Sequence, residues 1–162
     1  VEHIGQDNWG RFSEDARGWL IEAEHNWHEW RFTKRGKEFA HTDWSQIALQ
    51  FTKAIEHELV SRYGEACKKY GHDSYAGMPV TLGSVINFLG KAANGDAQHQ
   101  ETLEKIGRQV PDGKLVDRLH GLNRTFRNPA AHPGPFPLET LEGLRKELFQ
   151  DRLLREIADK LL

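Results

Sequence analysis

The sequence predicts an all-α fold, an antiparallel helical bundle with an additional N-terminal helix. Three observations lead there. Apolar residues recur at three- and four-residue steps nearly throughout, which puts them on one face of a helix. Capping residues and Gly/Pro breakers punctuate that pattern at helix-length intervals. No segment shows the two-residue alternation of a half-buried strand, and there is no internal repeat or low-complexity tract.

The first helix is expected over residues 13–34, with Ser13 as N-cap and Gly36 beyond its end. Ala16, Trp19, Leu20, Ala23, Trp27 and Trp30 form its inward side. A long second helix is expected over 43–70, capped by Asp43 or Thr42 and ended by Gly71. Its stripe is Trp44, Ile47, Phe51, Ile55, Leu59, Tyr63 and Tyr70. Residues 72–79, with Gly77 and Pro79, read as a loop. Thr81 caps a short helix through Ala93, with Leu82, Val85, Ile86 and Leu89 inward, and Asn94-Gly95 stops it. A helix near 97–108 follows, then Pro111-Asp112-Gly113 as a turn. Residues 114–126 form a helix with Leu115, Leu119, Leu122 and Phe126 buried. Two closing helices are expected over 138–149 and 151–161, or one bent helix. The organisation is an N-terminal amphipathic extension over 1–40 and a bundle over 41–162.

A chain of 162 residues suffices for one domain with its own core. Hydrophobic residues at 38% and charged residues at 28% describe an ordinary, slightly polar soluble composition. No apolar run is long enough for a transmembrane helix, so no membrane partner is expected. Val1 to Gly10 are mixed and polar, unlike a signal peptide. The start at Val1 reads as a trimmed chain or a piece of a longer protein. The single cysteine, Cys67, excludes an internal disulfide and fits a reducing cytoplasm. It falls in an apolar stripe, where a buried structural thiol is expected. A net charge of −2 makes the whole chain no magnet for nucleic acid. Between Lys105 and Arg127, however, six cations face two acids, an excess of four positive charges before His120.

The stretch Arg127-Asn128-Pro129-Ala130-Ala131-His132 carries the chemistry. Cleaving RNA without metal needs one group to accept a proton and one to donate one. The attacking 2′-hydroxyl displaces the 5′-oxygen through a transition state with extra negative charge. A guanidinium suits that charge, being planar and always charged. Histidine suits the proton transfers, with an unperturbed pKa of about 6.5. One motif supplies one histidine, and a two-fold homodimer would bring a second Arg127 and His132 into the cleft. Asn128 is expected as the N-cap of a new helix with Pro129 at its first position, which would expose backbone N–H groups to an anion.

The segment Phe126-Arg127-Asn128-Pro129-Ala130-Ala131-His132-Pro133-Gly134-Pro135 resembles the Arg-Asn-x-x-x-His-Pro-Gly form of the HEPN domain family. Residues 138–149 resemble the helix that usually follows, and 51–59 and 81–89 resemble earlier helices of such domains. The resemblance covers roughly residues 43–150. It implies an all-helical homodimer with a composite active site, working as a metal-independent endoribonuclease of toxin or defence type, or as the ribonuclease domain of a larger protein. Products would carry 2′,3′-cyclic phosphate and 5′-hydroxyl ends. RNA would be the substrate, and an antitoxin or further domains of the same protein would be partners. Arg127 and His132 match the signature positions, and Asn128 matches the polar position beside the arginine; these three are the candidate catalytic residues. Arg118, His120 and Arg124 are assigned to substrate binding. The family packing would also turn Glu56 and His57 toward the same cleft. No cofactor and no metal are expected. Family members that have lost catalysis serve as nucleotide-binding, RNA-binding or dimerisation modules, and that is the alternative reading.

Other constellations carry less. His25 and His28 could hold a metal only with a third ligand, which the pattern lacks. Trp19, Trp27 and Trp30 read as packing, or as a dimer or partner surface. No Gly-rich phosphate loop, Gly-x-Ser-x-Gly or paired-cysteine motif is present. A third reading is an unrelated helical interaction domain whose motif arose by chance. That reading expects Arg127 to be paired with an acidic side chain, with no basic cleft nearby. A catalytic site expects two copies of Arg127 and His132 to converge across a dimer cleft open to solvent, whereas a non-catalytic module expects the motif to be buried or its two copies to face apart.

Overall fold

The structure, a computed structural model, describes residues 4–32, 43–70, 79–132 and 134–162, apart from the side chains of Lys69 and Tyr70. Among the described residues the chain is helical and contains no strand. The helices are α1 Gln6–Trp9, α2 Glu14–Phe32, α3 Ser45–Tyr70, α4 Leu82–Ala93, α5 Ala97–Lys105, α6 Gly113–Leu122, α7 Asn128–Ala131, α8 Leu138–Arg145 and α9 Leu153–Leu161. Two wide, π-type turns continue helices rather than separating them: Asn123–Arg127 joins α6 to α7, and Lys146–Gln150 extends α8. The expected roles of Gly36, Thr42, Gly71, Tyr70 and Pro133, and the loop over 72–78, lie outside the described residues.

α3 is the central helix. Phe51, Ile55, Leu59 and Tyr63 on its stripe are fully buried. α2 lies against it antiparallel: Asn26 donates to Gln50 at 3.1 Å, and Ser13 meets Glu58 at the other end. Ala16, Leu20, Ala23 and Trp27 of α2 enter the same core as the rest of the chain. Trp30, expected inward, is 46% exposed and touches the Trp44 ring by one edge, with centroids 5.7 Å apart. The N-terminal anchor of α2 is polar. Ser13 Oγ accepts from the Ala16 N–H at 3.2 Å, while buried Glu58 accepts from the Ser13 N–H and from Arg62 Nε at 3.2 Å. Pairing of that kind is what makes a buried carboxylate tolerable.

Local chemistry sets the other boundaries. Thr81 and Ser84 form a reciprocal capping box at α4. Gly95 follows that helix at φ 91, a conformation that glycine adopts without a Cβ penalty. α5 ends earlier than expected, at Lys105, because Gly107 turns the chain at φ 69. Asp112, expected inside a turn, is the N-cap of α6 and accepts from the Leu115 N–H at 2.8 Å. α9 begins after Arg152, whose φ of 61 and ψ of 27 break the preceding helix.

Candidate functional site

The motif does not sit where one helix ends and another begins, so the expected Asn128 cap is overturned. Asn128 is helical, with φ −65 and ψ −49, and so is Arg127. The reason lies in Pro129. A proline inside a helix lacks an N–H and presses on the carbonyl four residues back, here that of Thr125. The chain responds by widening the turn ahead of it, and the Asn128 N–H reaches back five residues to the Asn123 carbonyl. No row of free helix N-terminal N–H groups is therefore offered to an anion at Asn128. The helix ends at the histidine instead. His132 is extended, with φ −105 and ψ 154, as expected for a residue preceding a proline.

Arg127 reaches α3. Its Nε donates to Glu56 Oε2 at 3.3 Å, and its Nη2 lies 3.3 Å from Oε1 and 3.2 Å from Oε2. The side chains are 30% and 24% exposed, so the pair sits at the rim of the core. Glu56 Oε1 also accepts from the Leu82 N–H, at 3.1 Å, at the first turn of α4. Two positive partners, a guanidinium and a helix N-terminus, therefore converge on one carboxylate. Asn123 of the wide turn lies beside the same helix start: a Cβ on Gly83 would stand 3.5 Å from its amide nitrogen.

His132 is exposed, and its backbone N–H donates to the Pro129 carbonyl at 3.3 Å. It stands one short helix, α7, beyond Arg127. The segment leaving it is pinned. The Phe136 N–H donates to Asp43 Oδ1 at 3.1 Å, and the Phe136 carbonyl accepts from Trp44 N at 3.1 Å. The Phe136 ring is buried. Asp43 also accepts from the Ser45 N–H at 3.0 Å, which helps hold its carboxyl below the usual carboxylate range. α3 thus supplies the partner of Arg127, and Asp43 and Trp44, immediately ahead of that helix, anchor the chain beyond His132.

The remaining sequence-assigned residues divide. His120 and Arg124 are exposed. His120 Nε2 borders Gly90 of α4, where a Cβ would lie 3.9 Å away, and Arg124 makes no ion pair among the described residues. Arg118 is engaged within the protein: it contacts Glu147 at 2.8 Å, Glu156 at 3.0 Å and the Asp151 carbonyl at 2.9 Å, tying α6 to the C-terminal elements. The single stripe expected for His120, Arg124 and Arg127 is interrupted, because the wide turn holds an extra residue and offsets Arg127 from the other two.

The basic excess over 105–127 is also partly spent. Lys105 pairs with Glu101 at 2.7 Å, and Arg108 donates to the Leu162 carbonyl at 2.7 Å. His57 turns away from Glu56 to meet Trp19 edge-on at 5.1 Å, with Lys53 over the same indole at 4.3 Å. Sequence position named Glu56 only as a neighbour of the cleft. Its pairing with a residue 71 positions away had no local signal.

Among the described residues no group of three or more His, Cys, Asp or Glu side chains is placed to hold a metal ion. His25 and His28 each lie 3.8 Å from a glutamate one turn away. An open groove of 680 Å³ lies between α2 and α8 and is lined by none of the motif residues. Its charges are closed by Glu24 with Arg145, in two 2.7 Å bonds, and by Arg31 with Glu142. No helix among the described residues is long and apolar enough to cross a membrane. No family model, curated protein or solved structure matches this chain.

Proposed function

We propose that this chain is a metal-independent endoribonuclease of HEPN type, either by itself or as the ribonuclease domain of a larger protein. The observation that carries the reading is a half-buried Arg127, oriented by Glu56, followed one short helix later by a solvent-exposed His132. The arginine would neutralise charge on the phosphate, and the histidine would move protons. The 2′-hydroxyl attacks phosphorus, the P–O5′ bond breaks, and the 5′-oxygen leaves with a proton. The products are a 2′,3′-cyclic phosphate and a 5′-hydroxyl. Acid and base roles call for two imidazoles, which a two-fold homodimer with facing motifs would supply. Asn128 would position substrate, and His120 and Arg124 would extend the RNA contact. Arg118, committed to Glu147 and Glu156, has no part in it. A cytoplasmic site and an antitoxin or adjoining domain as partner belong to the same reading.

One observation favours another reading, an unrelated helical interaction module whose motif arose by chance. Arg127 already has a carboxylate partner, as a structural arginine would. End-group chemistry separates the two. RNA incubated with the chain in EDTA should yield fragments with cyclic-phosphate and 5′-hydroxyl ends, from a species whose scattering mass is that of a dimer. Intact RNA beside a folded dimer would favour the module, and 3′-hydroxyl ends would point to a different nuclease chemistry.

A further inference from the structure

We infer that Glu56 is a positioning residue for Arg127, an inference that rests on the ribonuclease reading above. The carboxylate takes the Nε–Nη2 edge of the guanidinium, with contacts of 3.2 and 3.3 Å. Among the described residues Nη1 makes no hydrogen bond, so the other edge of the fork is left for an anion. Arg127 keeps a partly exposed side chain while one edge is held, which presents a phosphate-binding edge in a fixed direction.

Glu56 is itself held. Its Oε1 receives the Leu82 N–H at 3.1 Å, so α4 orients the carboxylate and the carboxylate orients the arginine. Of the three elements that meet there, α3 and α4 are fixed by their buried faces, and the wide turn packs on the same core through the partly buried Phe126. The guanidinium is therefore referenced to the core rather than to its own flexible stem. The carboxylate also offsets the positive charge that Arg127 and the start of α4 would otherwise place side by side.

Glu56→Gln and Glu56→Asp test this. The glutamine keeps an oxygen for the Leu82 N–H and removes the charge that grips the arginine. The aspartate keeps the charge and shortens its reach. In RNA cleavage by the full chain, Glu56→Gln should lower kcat on the order of 100-fold with KM little changed, since a small misplacement of a catalytic group costs that much. Glu56→Asp should recover part of the loss. In an Arg127→Ala background Glu56→Gln should cost nothing further. An unchanged kcat in both variants would overturn the inference and leave the ribonuclease reading standing. So would a loss that follows the folded fraction and disappears on cooling. A native chain that leaves RNA intact removes the reaction, and the inference with it.

Discussion

The Asn128 N–H donates to the Asn123 carbonyl, five residues back, immediately before Pro129. That bond records how the chain carries a proline through a helix without ending it. It also sets the angular position of Arg127 relative to α6. Pro129→Ala removes the clash and restores an N–H, so the turn can relax toward ordinary helical spacing. Stability should change by no more than about 1 kcal/mol, because alanine's better propensity is offset by the repacking of a settled turn. RNA cleavage should fall well beyond any loss of folded protein. Thermal unfolding and cleavage rate on the same sample check it; cleavage at the native rate would show that the wide turn does not matter to the site.

Arg152 sits in the left-handed region at φ 61, exposed, between the second wide turn and α9. Side chains pay roughly 1–2 kcal/mol there. Arg152→Gly should therefore raise stability by about 1 kcal/mol, somewhat less if the added freedom of the unfolded chain counts fully. Urea midpoints for the two proteins measure it. A lower midpoint for the glycine variant would mean that Arg152 makes a contribution the geometry does not explain.

Cys67 is 3% exposed, and burial pushes its thiol up to about 12. Thiolate is the reactive form, so the native thiol should resist alkylation at pH 8. Its labelling rate should rise with denaturant in step with global unfolding. Rapid labelling of the folded chain would place the cysteine at a surface or in a locally opening segment.

Acid should loosen the join between α6 and α9. The Asp112 carboxyl lies below the usual carboxylate range, chiefly through its hydrogen bond with Lys160 and then through the Leu115 N–H. A lowered folded pKa gives stability that is present above the unfolded value, about 3.9, and is lost as pH falls through the folded value. Asp112→Asn should therefore narrow the stability difference between pH 6 and pH 3 relative to the native chain. Lys160, raised by the same contact, gives the mirror effect, lost only as pH climbs past the ordinary lysine range. Melting temperatures across pH test the sign. An Asp112→Asn chain with the native acid profile would assign the acid sensitivity to other groups, such as Asp43 and Asp96, which are also lowered.

Much of the fold is legible in local sequence, because helix stripes and caps are local. Ser13, Thr81 and the Leu115/Leu119/Leu122 stripe need only their own neighbourhoods to be read. The break after Ala131 follows from the proline after His132. Three features escaped that reading. The wide turn at Asn123–Arg127 arises from a contest between Pro129 and a helix whose buried face continues past it, so the proline read as a boundary. The left-handed Arg152 has no composition signal, since glycine is the residue that position prefers. The pair of Glu56 and Arg127 is a product of tertiary packing. Helical spacing places Glu56 and His57 about 100° apart, so they serve different neighbours, Arg127 and Trp19.

The central claim is that Arg127 and His132 form a metal-free cleavage site, and one comparison tests it directly. A mixed RNA pool is incubated in EDTA with the native chain, with Arg127→Ala and with His132→Ala, each confirmed as folded. The account predicts cleavage by the native chain and losses on the order of 100-fold or more in each variant. Equal rates in all three, or cleavage that requires added metal, would contradict it.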